Sequence, residues 1–463
     1  MLLRTIYDDR LAQASYFVGC QESGTAIVID PARDITPYLQ IAQEEGFRIV
    51  GVAETHIHAD FVSGSRELAE ITGAVIYLSG EGDDVWQYAF PSTDDVKLVH
   101  EGDRLTIGNV WLDVIHTPGH TPEHIAFLLT DSKVTQAPMA IFTGDCLFVG
   151  DVGRPDLLEK VANTPESAVL GARQQFRNMQ RLSQMADYLQ VLPGHGAGSA
   201  CGKALGAVPT STLGYEKMVN PAFNQPDEDA FVAWLLADQP EPPHYFAQMK
   251  AINRAGAALL KELPQPQHIS EMPDTDIVPL DALFIDTRPA GDYTRHHLPH
   301  TVNIPISSRS FSTYVGWFVD YDAPTFFIAY LNDVQEVLRA LSAIGVDDVR
   351  GYFTAEVVAN APLTLPQITV EEVYDRNLPI LDVRGLDEYQ SEHIPGAVHI
   401  HMGAIMGVIA DLPRDRSFAV QCGTGVRSQI VTSLLQSLGF DNVSNMTGGL
   451  NAWKKAGLPT EKG

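Results

Sequence analysis

Basic residues are scarce in this chain. Its 463 residues hold 31 Lys and Arg against 58 Asp and Glu, a formal net charge of -27. So acidic a surface repels nucleic acid and anionic headgroups, and no basic block interrupts it, so no nucleic acid partner is expected. Cysteine is scarce as well. Cys20, Cys146, Cys201 and Cys422 form no CxxC pair and no disulfide-framework spacing. That usage suits a reducing cytoplasm, where a cysteine that matters acts as a thiol. Long apolar runs are missing too, none approaching the roughly 18 residues that cross a bilayer. The opening Met1-Leu2-Leu3-Arg4-Thr5-Ile6-Tyr7-Asp8-Asp9 turns acidic at once, so neither a secretory leader nor a membrane partner is expected.

What is present is soluble, globular material, 45% hydrophobic and long enough for about two to four cores. Residues 16–19 and 26–30 read as strands, and 34–46 as a helix with Thr36 as N-cap before Pro37 and Gly46 as its stop. A strand at 49–53 runs into Thr55-His56-Ile57-His58-Ala59-Asp60-Phe61. A helix at 65–71 and a strand at 74–78 follow, then a hairpin about Gly108-Asn109. Strands at 125–129 and 139–143 precede a helix starting near Thr164-Pro165, and a strand at 188–192 ends in Pro193-Gly194-His195. Hairpins mixed with strand-helix alternation predict two sheets with helices packed outside.

His56, His58, His116, His120, Asp145 and His195 all sit just after apolar runs. Loops at strand ends commonly carry catalytic groups, and histidines with carboxylates are the donors that borderline divalent metals prefer. From about residue 220 to 273 prolines crowd around one apolar stretch, 231–237, which reads as the end of a first domain and a linker. An internal repeat follows. Ile285-Asp286-Thr287-Arg288 and Leu381-Asp382-Val383-Arg384 align at an offset of 96, as do Tyr293 and Tyr389, His297 and His393, and Pro299 and Pro395. The expected division is 1–240, a linker at 241–273, a first copy at 274–360 and a second at 365–463, each copy a small α/β domain with a largely parallel sheet.

Thr55-His56-Ile57-His58-Ala59-Asp60, His116-Thr117-Pro118-Gly119-His120-Thr121, Thr143-Gly144-Asp145 and Pro193-Gly194-His195 together resemble the metallo-β-lactamase superfamily. The resemblance covers residues 1 to about 205 and implies an αββα sandwich with metal at the strand-end rim. The superfamily places a histidine after Asp60, where this chain has Phe61, which offers no donor. One metal is therefore expected. That departure points to the mononuclear iron branch, the persulfide dioxygenases, and implies one Fe(II) per chain held by His56, His120 and Asp145, with Zn as the alternative. Two histidines and one carboxylate form the facial triad of non-haem Fe(II) oxygenases. His58 and Asp60 are expected to orient those ligands by hydrogen bonding. The branch also carries an arginine nine residues after the metal aspartate, here Arg154, implied to bind the glutathione part of the substrate. His116 is expected only to shape its loop. Cys201 reads equally as a relay near the metal and as a small buried hydrophobe, while Cys20 and Cys146 read as structural.

Val420-Gln421-Cys422-Gly423-Thr424-Gly425-Val426-Arg427-Ser428 ends a strand and opens a helix. A cysteine there gains from the helix N-terminus, and the glycines let successive amides turn toward sulfur. With Glu388-Tyr389, His393-Ile394-Pro395-Gly396-Ala397 and Gly448-Gly449-Leu450-Asn451-Ala452-Trp453 it resembles the rhodanese sulfurtransferases. The C-x4-R spacing is theirs, one residue shorter than in related phosphatases. Cys422 and Arg427 are the implied catalytic pair, and Gly423, Thr424, Gly425 and Val426 the implied substrate cradle. In the first copy Tyr330 falls at about the cysteine position, without glycine or arginine, so that copy is expected to be inactive.

The expected whole is an α/β chain: an αββα sandwich followed by two rhodanese-like α/β domains, the first inactive. The expected activity is oxidation of a low-molecular-weight persulfide such as glutathione persulfide by O2 to sulfite, with sulfur transfer between sulfite and thiosulfate, in sulfide detoxification. A glyoxalase-II-like zinc hydrolase of glutathione thioesters and a non-enzymatic sulfur carrier or sensor are the alternatives. The sequence is compatible with a homo-oligomer.

Overall fold

Alternation along the strand Gln13–Cys20 shows how the first layers are built. Tyr16 and Val18 join one apolar cluster and Phe17 another, because successive side chains leave a strand on opposite faces. Tyr16 and Val18 meet Leu112, Val114, Phe127 and Phe142 of a second sheet, whereas Phe17 packs with Tyr38 and Leu68 of two helices. The computed structural model in which these contacts are seen describes residues 1–90, 94–157, 167–274 and 276–463.

The first sheet has six strands in sequence order, from Leu2–Asp8 through Thr25–Ile29 and Arg48–Ala53 to Val96–Val99. The second has six, with Ser211–Thr212, Gln190–Pro193, Ala140–Gly144, Ile125–Asp131, Val110–His116 and Arg104–Ile107 side by side. Helices Thr36–Glu45 and Ser65–Thr72 cover the first sheet. Helices Ser167–Ser183 and Glu228–Leu236 cover the second through Met179, Leu182 and Phe231. This is the expected αββα sandwich. Gly108 carries the positive φ, 59°, at the expected hairpin.

By its contacts the chain divides into two compact units, Met1–Glu262 with Ser342–Gly345, and Leu263–Leu341 with Val346–Gly463. The second unit holds two five-stranded sheets of the same strand order. One runs Gln267–His268, Val349–Thr354, Thr325–Ala329, Leu283–Asp286, Val302–Asn303; the other Gln367–Ile368, Val443–Met446, Phe418–Gln421, Ile380–Asp382, Val398–His399. Every pairing in both is parallel, as the repeat implied. No helix among the described residues is long and apolar enough to cross a membrane.

Four details differ from expectation. Thr36 lies inside its helix rather than capping it, with Ile35 at the N-cap and no side-chain cap, while Gly46 closes the helix at φ 73°. The range 241–273 is not a bare linker: it contains the helix Phe246–Ala255, in the first unit, and the edge strand Gln267–His268 of the first repeat sheet. Prolines around both elements masked them. The helix start near Thr164-Pro165 lies outside the described residues. Finally, Asp286 pairs with Ile328 where Asp382 pairs with Gln421, so Ala329 rather than Tyr330 occupies the register of Cys422.

Phe127 is fully buried between the two first-unit sheets. Phe127→Ala is expected to cost about 3–5 kcal/mol through lost transfer and a residual cavity, read as a lowered urea midpoint.

Candidate metal centre and thiol loop

The strand Arg48–Ala53 delivers Thr55 next to Asp30, at the end of the neighbouring strand Thr25–Ile29. Asp30 accepts from the Thr55 N–H at 2.7 Å and from its hydroxyl at 2.9 Å. The Thr55 oxygen in turn faces His56 Nδ1 at 2.9 Å and, having given its proton to Asp30, accepts from it. His56 Nε2 is thereby left with its lone pair outward. Burial, then the histidines around it, hold its pKa well down, so the ring is neutral.

His120 is set in the same way. Its Nδ1 donates to the Arg154 carbonyl at 3.0 Å, and burial keeps this ring neutral too. Asp145 arrives from the strand Ala140–Gly144 through Gly144, whose φ is 48°. A Cβ at Gly144 would lie 2.6 Å from His124 Nε2 and 2.7 Å from Thr55 Oγ1, so only glycine fits this turn. The Asp145 N–H donates to His124 Nε2 at 3.0 Å, which puts the His124 proton on Nδ1, toward Thr117 Oγ1 at 2.8 Å. Burial and then His120 push the His124 pKa to about 3.

These devices converge His56 Nε2 and His120 Nε2 on Asp145 Oδ2, at 4.0 and 3.5 Å. Oδ2 is buried and has no hydrogen-bond partner among the described residues. Two neutral imidazoles and an unpartnered carboxylate oxygen fit a divalent metal, which would supply the charge that Oδ2 lacks. The expected trio is therefore brought together.

The neighbouring donors face one another. His195 Nδ1 is hydrogen-bonded to Asp145 Oδ1 at 2.7 Å, and its Nε2 lies 2.7 Å from Asp60 Oδ2 as an ion pair without hydrogen-bond geometry. Burial opposes its charge, but those carboxylates raise its pKa to about 10. Burial alone would raise Asp145, yet His195 and His120 hold it well below the usual carboxylate range. His58 turns away from the metal trio, its Nε2 at 3.2 Å from Asp30 and 3.0 Å from Glu54, and despite burial these carboxylates raise its pKa well above normal. Asp60, His195 and Cys201 form a second donor cluster, but burial and then Asp60 and Asp145 keep Cys201 a protonated thiol. Phe61 is buried against His58, ring centroids 4.4 Å apart, and adds no donor.

Arg154 departs from expectation. Its side chain is fully buried, Nε and Nη2 meet Asp156 at 2.7 and 2.6 Å, and Nη1 donates to the Ala200 carbonyl at 3.2 Å. A guanidinium so enclosed is not placed to clamp a glutathione carboxylate. Its carbonyl orients His120 instead. His116 shapes its loop as expected, through Pro122 O at 2.9 Å.

Two contributors escaped the sequence. His124 follows His120 by four residues and read as the approach to a strand, though its histidine was a visible signal. Asn253, in the helix Phe246–Ala255, gave none. Its Nδ2 donates to the carbonyls of His58 and Phe61 at 2.8 and 2.7 Å, and its Oδ1 accepts from the Ser63 N–H at 2.9 Å. It pins the turn that carries the metal motif.

In the second unit, Cys422 ends the strand Phe418–Gln421, and the helix Val426–Ser437 begins four residues later. The Gly425 N–H donates to Cys422 Sγ at 3.2 Å, and Ser428 Oγ lies at 3.5 Å. The loop amides can turn inward because its carbonyls are held elsewhere: the N–H groups of Leu450 and Asn451 bond the oxygens of Cys422 and Gly423 at 2.8 and 3.0 Å. Arg427 is gripped by Glu388, Nη1 to Oε2 at 2.6 Å and Nη2 to Oε1 at 2.7 Å, which fixes its charge beside the loop. Thr424 and Val426 are exposed at the rim. In the first copy no thiol occupies this place, and Tyr330 donates to Asp292 at 2.7 Å. That copy holds the helix after Cys422: Gln429 donates to Asn303 Oδ1 at 2.8 Å, and Ser433 Oγ accepts from the Asn303 N–H at 2.9 Å.

The metallo-beta-lactamase superfamily model matches residues 8–196. A solved metallo-beta-lactamase from Staphylococcus aureus subsp. aureus COL is 43% identical, with a TM-score of 0.69, covering 76% of this chain and 99% of that one. The chain belongs to the metallo-beta-lactamase superfamily. The rhodanese-like domain model matches residues 368–456, so this superfamily member also carries a rhodanese-like domain. Among curated relatives, a hydroxyacylglutathione hydrolase of Rhodospirillum rubrum is 36% identical over 140 residues, 30% of this chain and 49% of the relative. The mitochondrial persulfide dioxygenase ETHE1 of Homo sapiens is 30% identical over 169 residues, 35% of this chain and 59% of the relative. The chain thus spans about half to three-fifths of the length of these curated relatives.

Asn253→Ala is expected to weaken metal binding by about tenfold or more, since it frees the turn behind His56 and Asp60. Competition against a chromogenic chelator reads the loss.

Proposed function

We propose that this chain joins a single-iron persulfide dioxygenase to a sulfurtransferase, oxidising a low-molecular-weight persulfide to sulfite and exchanging sulfane sulfur at Cys422. The observation that carries the reading is the contrast between two donor sets. His56, His120 and Asp145 leave a buried carboxylate oxygen unpartnered between two neutral imidazoles, while in the second set His195 Nδ1 is hydrogen-bonded to Asp145 and Nε2 is ion-paired with Asp60. Phe61 supplies no donor beside them. This supports one metal rather than two.

Fe(II) held by His56, His120 and Asp145 would keep positions open for a thiolate and O2, the chemistry such a set supplies. The chain's own residues prepare that site. Thr55 and the Arg154 carbonyl fix the ligand tautomers, His124 steers Asp145, and Phe61 and Phe148 pack edge-on against His195. At the second site, the Cys422 thiolate attacks the outer sulfur of R–S–SH. A new Cys422 S–S bond forms, the bond from that sulfur to R–S breaks, RS⁻ leaves and the proton stays on the transferred sulfur. When sulfite attacks that outer sulfur, thiosulfate departs and the thiolate returns. The helix N-terminus and the Gly425 N–H stabilise the anion at each stage.

A second reading is a binuclear zinc hydrolase of glutathione thioesters. The Asp60, His195 and Cys201 cluster and the likeness to hydroxyacylglutathione hydrolase favour it.

Anaerobic purification followed by metal analysis is expected to find about one iron per chain, with oxygen uptake dependent on glutathione persulfide. Two zincs with thioester hydrolysis would overturn that in favour of the second reading. Cys422→Ser is expected to abolish thiosulfate-to-cyanide sulfur transfer while oxygen uptake persists, measured on the same preparation.

A further inference from the structure

His56 lies beyond the end of the strand Arg48–Ala53, so no ladder fixes its backbone. A residue keeps two soft dihedrals, and the planar peptides on either side of its Cα set them. Both peptides around His56 are held from one place. On the N-terminal side the Thr55 carbonyl accepts from the Ile125 N–H at 2.8 Å. On the C-terminal side the Ile57 N–H donates to Glu123 Oε1 at 2.8 Å. Residues 123–125 therefore bracket the first ligand of the metal trio. The same segment closes the turn that carries the second: the His124 carbonyl accepts from the Thr117 N–H at 2.9 Å, and His120 lies between those residues.

Of these bonds, the one to Glu123 is made by a side chain, and a costly one. Glu123 is fully buried, and a carboxyl in a dry interior loses hydration that an apolar side chain of the same size would not need. Burial pushes its pKa up to about 7, and the Ile57 N–H leads the groups that hold it down, with Lys250 of the helix Phe246–Ala255 also among them. Oε1 can accept from Ile57 in either charge state. Oε2 has no hydrogen-bond partner among the described residues, whereas the oxygen facing Ile57 is bonded. The Ile57 side chain is packed with Ile76, Leu78, Trp86 and Phe90. That packing fixes where Ile57 lies but not how the peptide joining it to His56 is turned.

We propose that Glu123 is a positioning residue of the metal centre: through the Ile57 N–H its Oε1 sets the backbone of His56, so that the imidazole faces Asp145 Oδ2 beside His120. Glu123 itself touches neither metal nor substrate. It ties the turn of one histidine ligand to the turn of the other. The inference rests on reading His56, His120 and Asp145 as the metal trio, and it holds for either divalent metal considered above.

The test titrates Co(II), whose d–d absorption reports ligand geometry, into the metal-free full-length protein and its variants. Glu123→Met fills the buried volume without an acceptor oxygen, and Glu123→Gln restores that acceptor. Glu123→Met is expected to bind Co(II) about tenfold more weakly or worse, with a shifted d–d spectrum, while Glu123→Gln keeps the parent spectrum and an affinity within about threefold. Parent affinity and spectrum in Glu123→Met overturn the proposal, and so does a Glu123→Gln protein as impaired as Glu123→Met. Thermal unfolding of each metal-free variant identifies a merely structural role: a lowered midpoint with unchanged Co(II) affinity and spectrum also overturns it. A parent protein that binds no Co(II) overturns the metal trio and the positioning role with it.

Discussion

Asp145 sits fully buried where several chain segments meet, with one carboxylate oxygen bound to His195 and the other unpartnered between His56 and His120. A bare carboxylate oxygen in a dry interior is costly unless a cation or donor answers it. Much of the surrounding structure reads as a response to that cost. His124 accepts the Asp145 N–H, the Gly153 N–H donates to its carbonyl, and Thr55 and Arg154 turn the two facing imidazoles so that acceptors rather than protons point inward. The αββα layers keep water out of this arrangement, and the helix Phe246–Ala255 pins the turn that carries His58 and Phe61.

The sulfur site solves a related problem with backbone rather than side chains. An anionic sulfur needs converging N–H groups, and a loop can aim them inward only if its carbonyls have partners elsewhere. The start of the helix Gly449–Lys455 provides those partners at Cys422 and Gly423. Gly449 has φ 54°, and a Cβ there would run into the Cys422 carbonyl oxygen, so the approach requires glycine. The first copy has the same strand order and the same Asp-Arg pair, Asp286 with Arg288 as Asp382 with Arg384. It lacks the glycine-rich loop, and Tyr330 donates to Asp292 at 2.7 Å. Scaffold and cradle are separable.

Legibility in the sequence followed the range of the interaction. Strand alternation, the hairpin at Gly108 and the Gly46 stop depend on neighbours a few residues apart and were readable. The metal trio was readable because its members lie in short dense motifs. Asn253 was not, because its partners are nearly two hundred residues away and a lone asparagine has no local pattern. Arg154 was misread for the same reason. It stands nine residues after Asp145, but Asp156 and the Ala200 carbonyl take up the guanidinium, and only packing reveals that.

By itself the sequence determined the layer architecture, the duplication, the donor atoms and the thiol, because hydrophobic period and chemical type are properties of the residues themselves. Tertiary structure decided which donors stay open and which face one another. Phe61 removed a ligand in the sequence, but the pairing of His195 with Asp60 and Asp145 is a matter of direction. The hydrogen bonds of the first copy to the helix after Cys422 appear only there as well. Hydrogen-bond geometry arises between segments distant in sequence, and no one-dimensional pattern carries it.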